Sequence, residues 1–325
     1  MATIAPQRIS IALCTYNGAA FLASQLDSFR AQSRLPDELV VCDDGSLDDT
    51  LHILERFAAE ANFPVHIFRN PVRLGSTANF SQAIGLCTGE IIVLSDQDDV
   101  WRSTKLAQIE SAFTATPNTG GVFSNGILID DHGQELRGNL WSRVGFNKHQ
   151  QAAVRKNQAF DMLFRGNFAT GATMAFRKDM TSVLLPIPAG WVHDYWIASL
   201  LAATSQLDFI DAPLIEYRCH TSQQLGIQNG MWESWHRFLA SNNTTFQLAA
   251  ARWIEIRDRL RQHGNPLNSS SLSKCEVLIH HLQRRGTLPP RRLRRLPSVF
   301  AEILNGNYFH YSSGLTSILR DILSR

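Results

Sequence analysis

Four short apolar runs punctuate the front of the chain, and three of them stop abruptly at polar clusters. Ile9–Cys14 (ISIALC) runs into Thr15-Tyr16-Asn17-Gly18, and Leu39–Cys42 (LVVC) into Asp43-Asp44-Gly45-Ser46. Glu90–Leu94 (EIIVL) runs into Ser95-Asp96-Gln97-Asp98-Asp99, and Val65–Phe68 is the remaining run. The three that run into polar clusters read as strands buried on both faces, and Val65–Phe68 as a further strand. Between them, Ala20–Gln32, Asp48–Glu60 and Ala78–Leu86 carry apolar residues at helical spacing. Pro36 follows the first of these, and acidic residues open the second. Strands alternating with helices specify an α/β fold with a mostly parallel, doubly wound sheet. Such sheets bind ligands beyond the carboxyl ends of their strands. The three polar clusters should therefore lie along one sheet edge and face one crevice.

Further along, strand-like pieces at Gly121–Phe123, Gly126–Ile129, Thr173–Phe176, Leu207–Ile210 and Leu214–Tyr217 should extend the sheet. Helical patterns lie between them at Gln158–Phe164 and His193–Ala203. From about Leu225 the character changes. Trp232–Arg261 and Leu272–Arg285 have helical periodicity, and an apolar helical segment follows to Arg325. The expected organisation is an α/β domain over residues 1–224 and a mainly helical, basic extension over residues 225–325. The net charge of +2 hides this division: residues 1–218 carry −6 and residues 219–325 carry +8.

With 44% hydrophobic residues the 325-residue chain can bury a sizeable core, which excludes a largely disordered protein. Cys14, Cys42, Cys87, Cys219 and Cys275 show no metal-ligand or redox spacing and read as free thiols of a reducing compartment. The N-terminal residues lack a signal-peptide pattern, and no run approaches the roughly 18 apolar residues of a spanning helix. The expectation is a cytoplasmic protein, soluble or peripheral at the inner face of the membrane.

Three carboxylates within four residues, Asp96, Asp98 and Asp99, repel one another unless a cation or donors compensate. Hard divalent cations prefer oxygen ligands, and Mg²⁺ typically takes one or two carboxylates plus substrate phosphates. Asp96-x-Asp98 thus reads as a metal–diphosphate site. The spaced ligands, glycine and closing Glu of an EF-hand are missing. A carboxylate just beyond a strand, as at Asp43 or Asp44, can accept from a ribose hydroxyl or a pyrimidine imide N–H. Thr15, Tyr16 and Asn17 offer hydroxyl, aromatic and amide groups to a base. Each cluster alone also fits a solvated turn or a helix cap. Neither G-x-G-x-x-G nor G-x-x-x-x-G-K-[ST] occurs at these turns, which disfavours dinucleotide and P-loop chemistry.

Together, Thr15–Gly18 after the first strand, Asp43–Ser46 after the second and Ser95–Asp99 after the fourth resemble glycosyltransferase family 2. The Arg73–Phe80 loop (RLGSTANF) adds to the match, and bacterial rhamnosyltransferase-like members resemble it most. The resemblance covers roughly residues 7–225. It implies the GT-A fold, a Rossmann-like mixed sheet flanked by helices, here with a helical C-terminal extension. It further implies a nucleotide base pocket lined by Thr15, Tyr16 and Asn17, with Asp44 or Asp43 on the base or ribose. Arg73, Asn79 and Asp96 would serve the nucleotide, and Asp98 would ligate Mg²⁺ or Mn²⁺. Asn167–Thr173 resembles the stretch bordering sugar and acceptor, which implicates Gly171 and Thr173. Trp191–Trp196 resembles the motif holding the catalytic base, with Asp194 as base and His193 and Trp196 beside the acceptor. Tyr217-Arg218-Cys219-His220 resembles the family's Tyr-Arg-x-His, with His220 on metal or diphosphate. Cys219 and Thr221-Ser222-Gln223 depart from the Tyr-Arg-Gln-His-Gly-Asn-Asn that such members often show.

The implied activity is inverting, metal-dependent hexosyl transfer from a dTDP- or UDP-sugar, with L-rhamnose from dTDP-rhamnose as the donor suggested by the motifs. The implied acceptor is a glycan or a polyprenyl-diphosphate-linked glycan in cell-surface polysaccharide or lipopolysaccharide synthesis. The competing readings are a nucleotide-sugar-binding regulatory protein without transfer activity and a nucleotide-sugar hydrolase. Arg284, Arg285, Arg291, Arg292, Arg294 and Arg295 lie within twelve residues beside the apolar segment Leu296–Leu323. Such a pairing can dock on an anionic membrane or pack as a helical appendage. No nucleic-acid-binding module accompanies it.

Overall fold

The computed structural model describes residues 6–220, 243–263 and 269–323. The chain divides into two compact units. The first holds Met1–Asn157, Asn167–Leu201 and Ser205–Gly226, and the second holds Gln158–Gly166, Ala202–Thr204 and Ile227–Arg325. The expected boundary at 224/225 and the start of the expected helix at Trp232 lie outside the described residues.

The first unit opens with strands β1 (Ile9–Thr15), β2 (Glu38–Asp43), β3 (Val65–Arg69) and β4 (Ile91–Ser95). Helices α1 (Ala19–Arg30), α2 (Thr50–Glu60) and α3 (Ser76–Leu86) connect them. Every residue of β1, β2 and β4 is buried, as their unbroken apolar runs require. The chain continues through β5 (Val100–Trp101), α4 (Lys105–Ala115), β6 (Thr119–Ile129), β7 (Glu135–Asn139), α5 (Leu140–Val144) and α6 (Lys148–Arg155). After α7 (Ala159–Leu163), which belongs to the second unit, come β8 (Ala175–Arg177), α8 (Thr181–Leu184), α9 (His193–Thr204) and β9 (Gln206–Arg218).

The strands form one sheet in the order β3-β2-β1-β4-β8-β6-β9-β5, with β7 paired to β6. Neighbours are parallel from β3 to β4, and β6 runs parallel to β9. β8 is antiparallel to both β4 and β6, and β5 is antiparallel to β9. This is the mixed, mostly parallel sheet expected from the sequence. Register explains the site: Thr15 pairs with Asp43, and Leu13 pairs with Ser95. The loops that follow β1, β2 and β4 therefore leave the sheet at one edge.

Two differences from the sequence reading have local causes. The paired short strands expected at 121–129 and at 207–217 are single long strands, β6 and β9. Their pairing slips at Asn125, which faces Pro213, a residue with no N–H to continue the ladder. Thr173 lies in a 3-10 turn, Gly171–Thr173, and the strand begins at Ala175. The five cysteines are free, and all but the half-buried Cys219 are buried.

In the second unit, α7 accompanies α10 (Asn243–Gln262), α11 (Ser269–Gly286), α12 (Arg292–Leu304), α13 (Asn307–Tyr311) and α14 (Leu315–Leu323). Ala250, Trp253, Ile256 and Leu260 form the buried stripe of α10, and Trp253 packs edge-on against Phe160 and Phe164. Among the described residues, no helix is long and apolar enough to cross a membrane.

A buried ionic network ties the last helices together. Asp321 accepts from Arg285 Nε at 2.7 Å, from Tyr308 at 2.8 Å and from Arg320. Arg295 donates to the Asp321 carbonyl at 3.0 Å. Glu302 accepts from Arg284 at 2.7 Å and Asn307 at 2.8 Å, and lies 2.6 Å from His281. Burial pushes the carboxyls of Asp321 and Glu302 up, but these partners outweigh it and hold both below their ordinary values. Removing one member of a buried pair strands the other charge. Asp321→Ala should cost about 3–5 kcal/mol of stability, measured by urea unfolding. A loss below about 1 kcal/mol would show the network to be dispensable.

Candidate active site

The edge beyond β1 and β2 is built by hydrogen bonds between its own loops. Asp43 Oδ1 accepts from the backbone N–H groups of Gly45 at 3.2 Å and Ser46 at 2.9 Å. Its Oδ2 accepts from the hydroxyls of Thr15, at 2.9 Å, and Ser46. A carboxylate has about four acceptor positions, and these contacts fill them. Asp44 differs. Its Oδ1 accepts from Asn70 Nδ2 at 3.0 Å and Leu74 N at 2.7 Å, and its Oδ2 from Gly75 N at 2.8 Å. One acceptor position on Oδ2 is left, so Asp44 is the better placed of the two aspartates to receive a ligand.

Asn79 is buried behind this arrangement. Its amide donates to the Cys42 carbonyl at 2.8 Å and accepts from Asn70 at 2.8 Å. It positions Asn70, and through it Asp44, rather than facing a ligand. Arg73 is half-exposed and stands over the Tyr16 ring, 3.9 Å from its centroid. Tyr16 is clamped by Gln97, which accepts from its N–H at 2.8 Å and donates to its carbonyl at 3.1 Å. Asn17 adopts a positive φ of 47° and accepts from Leu47 N at 2.9 Å. A Cβ on Gly18 would lie 2.2 Å from Gln97 Oε1, so the clamp requires glycine there.

The acidic turn is fixed from the far end of the sheet. β5 pairs with β9 so that Val100 faces Glu216 and Trp101 faces Ile215. Continuing that register backward brings Asp98 to Arg218. Arg218 donates from Nε to the Asp98 carbonyl at 2.8 Å and from its backbone N–H to Asp99 Oδ1 at 3.0 Å. Two residues on, His220 Nε2 lies 2.9 Å from Asp98 Oδ2. Asp98 and His220 are thus adjacent although 122 positions apart in sequence.

Burial first, and then the Asp98 and Asp194 carboxylates, push Asp96 up to about 7. Lys105, fully buried, opposes this. Its ammonium donates to the Ala172 carbonyl at 2.8 Å and sits over the Trp101 ring. Burial pulls Lys105 down to about 7 against the pull of Asp99 and Asp96. No group of three or more His, Cys, Asp or Glu side chains able to hold a metal occurs among the described residues. The donors that are present, one carboxylate and one imidazole beside an excess of negative charge, fit a divalent cation that completes its shell with water and phosphate oxygens.

Asp194 lies in the first turn of α9, a position that favours a carboxylate. It accepts from Gly171 N at 3.2 Å. Burial raises it to about 6, against the hydrogen bonds it receives. His193 is buried and stacked on Phe80 at 4.0 Å, and neither ring nitrogen has a hydrogen-bond partner among the described residues. Burial lowers it to about 3, so it is neutral. A Cβ on Gly171 would lie 2.5 Å from His193 Nε2, which makes Gly171 the floor on which His193 rests. The Trp196 indole N–H donates to the Leu184 carbonyl at 2.8 Å, and the Thr173 hydroxyl to the Thr170 carbonyl at 2.7 Å. Both side chains are buried and support the site rather than line it.

The structure therefore brings Asp96, Asp98, His220 and Asp194 into one electrostatic neighbourhood. It turns Asp43, Asn79, Thr173 and Trp196 inward. Asn70, Gln97, Lys105 and Arg218 were not assigned roles from the sequence. Gln97, inside the acidic cluster, and Arg218, inside the Tyr217–His220 motif, carried signals that could have found them.

The family described as Glycosyl transferase family 2 matches residues 10–183, more than half of the chain. The chain belongs to this family. An uncharacterized glycosyltransferase of Nostoc sp. is 26% identical over 220 residues, 66% of this chain and 65% of the relative. Abequosyltransferase RfbV of Salmonella typhimurium is 29% identical over 105 residues, 32% of each chain. The chain thus matches less than two thirds of the Nostoc protein's length. Among solved structures, S. aureus TarS 1-349 in complex with UDP-GlcNAc aligns with a TM-score of 0.57 at 13% identity, over 97% of this chain and 81% of that one. Mannosyltransferase PcManGT from Pyrobaculum calidifontis, in complex with GDP-Man and Mn²⁺, aligns with a TM-score of 0.53 at 17% identity, over 99% and 88%. These likenesses establish the fold, which is GT-A.

The Gly18–Gln97 contact supplies a test of the site's construction. Gly18→Ala should cost about 1–3 kcal/mol, because the new methyl meets a side chain held at both ends. In a Gln97→Ala background the same change should cost less than about 0.5 kcal/mol. Equal costs in the two backgrounds, measured by denaturant unfolding, would refute the clamp.

Proposed function

We propose that the chain is an inverting, metal-dependent glycosyltransferase that moves a sugar from a nucleoside-diphosphate donor to an acceptor hydroxyl. The observation that carries this reading is Asp194. Its carboxyl is held near pKa 6 beside the acidic turn, so it is ionised at neutral pH yet basic enough to take a proton. Asp44 would hold the base or ribose, with Thr15, Tyr16, Asn17 and Arg73 around the nucleotide and Asp96 near its ribose or phosphate. The motif resemblance favours dTDP-L-rhamnose among donors. It favours a glycan or polyprenyl-diphosphate-linked glycan as acceptor.

Asp194 accepts the proton of the acceptor hydroxyl as that oxygen bonds to the anomeric carbon. The bond from that carbon to the diphosphate oxygen breaks, and the nucleoside diphosphate leaves with the electron pair. One displacement inverts the anomeric centre, so a β-L-rhamnosyl donor gives an α-L-rhamnoside. Mg²⁺ or Mn²⁺ bound through Asp98 and His220 would supply countercharge to the leaving diphosphate. Arg218 holds the acidic turn in shape, which fixes the carboxylates before substrate arrives, and Lys105 adds a buried amine whose charged form Asp99 and Asp96 favour.

Asp194→Asn should lower kcat by about 10²–10⁴-fold while leaving nucleotide binding unchanged. Turnover near the wild-type rate would remove Asp194 as base. Because the ionised form is the active one and burial raises its pKa, kcat/KM should fall as pH drops through about 6 and level off above it. Asp98→Ala should abolish the metal dependence of nucleotide binding in calorimetric titrations, and an unchanged dependence would displace the metal from this turn. Nucleotide release from a panel of donors should require an acceptor. Release that ignores every acceptor would identify a hydrolase, and binding without release a regulatory protein.

A further inference from the structure

Two helices of the second unit are built inside out. In α14 the buried positions are Ser317, Ile318, Arg320 and Asp321, while Leu315, Leu319 and Leu323 are exposed. In α12 the buried positions are Arg295, Val299 and Glu302, while Leu293, Leu296, Phe300 and Leu304 are exposed. Spacings of three and four residues place the last four side chains on one stripe, opposite the buried one. The exposure is substantial: 81% for Leu293, 74% for Leu304 and 68% for Leu315. Both helices pack inward on the small core of Leu288, Val299, Tyr308 and Ile318, so the stripes point away from it. Exposed apolar stripes of this kind mark an interaction site.

Charge decides which partner fits. Of the six clustered arginines, Arg285 and Arg295 are buried and Arg284 is paired to Glu302. Arg291, Arg292 and Arg294 are exposed at the start of α12, beside Leu293 and Leu296. The acidic residues of 287–323 are Glu302 and Asp321, and both are buried in ion pairs. The exposed face is therefore apolar and positive, with no carboxylate on it. A second copy meeting it across a two-fold axis would bring three more arginines and no answering charge. An anionic bilayer supplies both a hydrocarbon boundary and countercharge.

We propose that the outer face of α12 and α14 docks on an anionic membrane surface, with the leucines and Phe300 at the acyl boundary and the three arginines on headgroups. The proposal does not depend on the transfer reaction, and its test reads lipid binding alone. The full chain should co-sediment with mixed phosphatidylglycerol–phosphatidylcholine vesicles and much less with phosphatidylcholine alone. Replacing Arg291, Arg292 and Arg294 by Gln should weaken binding on the order of a hundredfold. The double variant Phe300→Glu, Leu319→Glu should abolish it while leaving the circular dichroism spectrum and melting temperature unchanged, since both positions are exposed. Equal binding to neutral and anionic vesicles would overturn the proposal. So would absence of binding. If the double variant then converted a wild-type dimer to a monomer, the face would belong to a second copy. If it lost thermal stability, the face would belong to a segment of this chain.

Discussion

Carboxylates gathered at one sheet edge repel one another, and the rest of the first unit is organised around containing that repulsion. Arg218 does most of it. Its guanidinium and backbone N–H reach the Asp98 carbonyl and the Asp99 carboxylate, and its Nη1 reaches the Asp130 carbonyl at 2.9 Å. One residue thus ties the end of β9 to the turn after β4 and to the end of β6. Lys105 adds a buried amine from α4 whose charged form Asp99 and Asp96 favour, against the burial that pulls it down to about 7. Negative charge still exceeds what these two supply around Asp96, Asp98 and Asp194, at the place where a cation and a diphosphate would enter.

The same containment separates two kinds of aspartate that look alike in the sequence. Asp43 and Asp44 are consecutive, follow the same strand and are both buried. Asp43 closes its own turn through Gly45 and Ser46 and has no acceptor position left. Asp44 reaches forward to Asn70, Leu74 and Gly75 and keeps one. The difference arises because Asp43 is the last residue of β2, held opposite Thr15, whereas Asp44 has left the ladder.

Features that depend on one local pattern were legible in the sequence. The unbroken apolar runs specified buried parallel strands, and parallel strands force the clusters after β1, β2 and β4 to one edge. Features that depend on distant pairing were not. β5 is two residues long and carries no periodicity of its own, yet it sets the register that brings His220 to Asp98. The orientations of Asn79, Thr173 and Trp196 could not be read from the sequence either: all three side chains turn inward. Each has a polar group that serves a buried carbonyl, and the sequence says nothing about which way an amide or indole turns.

The basic tail shows why net charge is a poor guide to surface. Its arginines lie together in sequence, but the helical period distributes them to opposite sides of α12. Arg295 joins Val299 and Glu302 on the inner stripe, and Arg292 and Arg294 flank the outer one. Burying Arg285, Arg295 and Arg320 is tolerable because the Asp321 carboxylate, Ser312 and backbone carbonyls meet their donors. Polar groups filling the inside leave less apolar surface to be buried there, and the leucines of α12 and α14 are displaced outward. An interior this polar gives each helix a fixed register, because a slip of one residue would strand a charge. The same arrangement gives the outer face its composition, since the carboxylates are inside and only arginines and apolar side chains remain to meet whatever lies beyond.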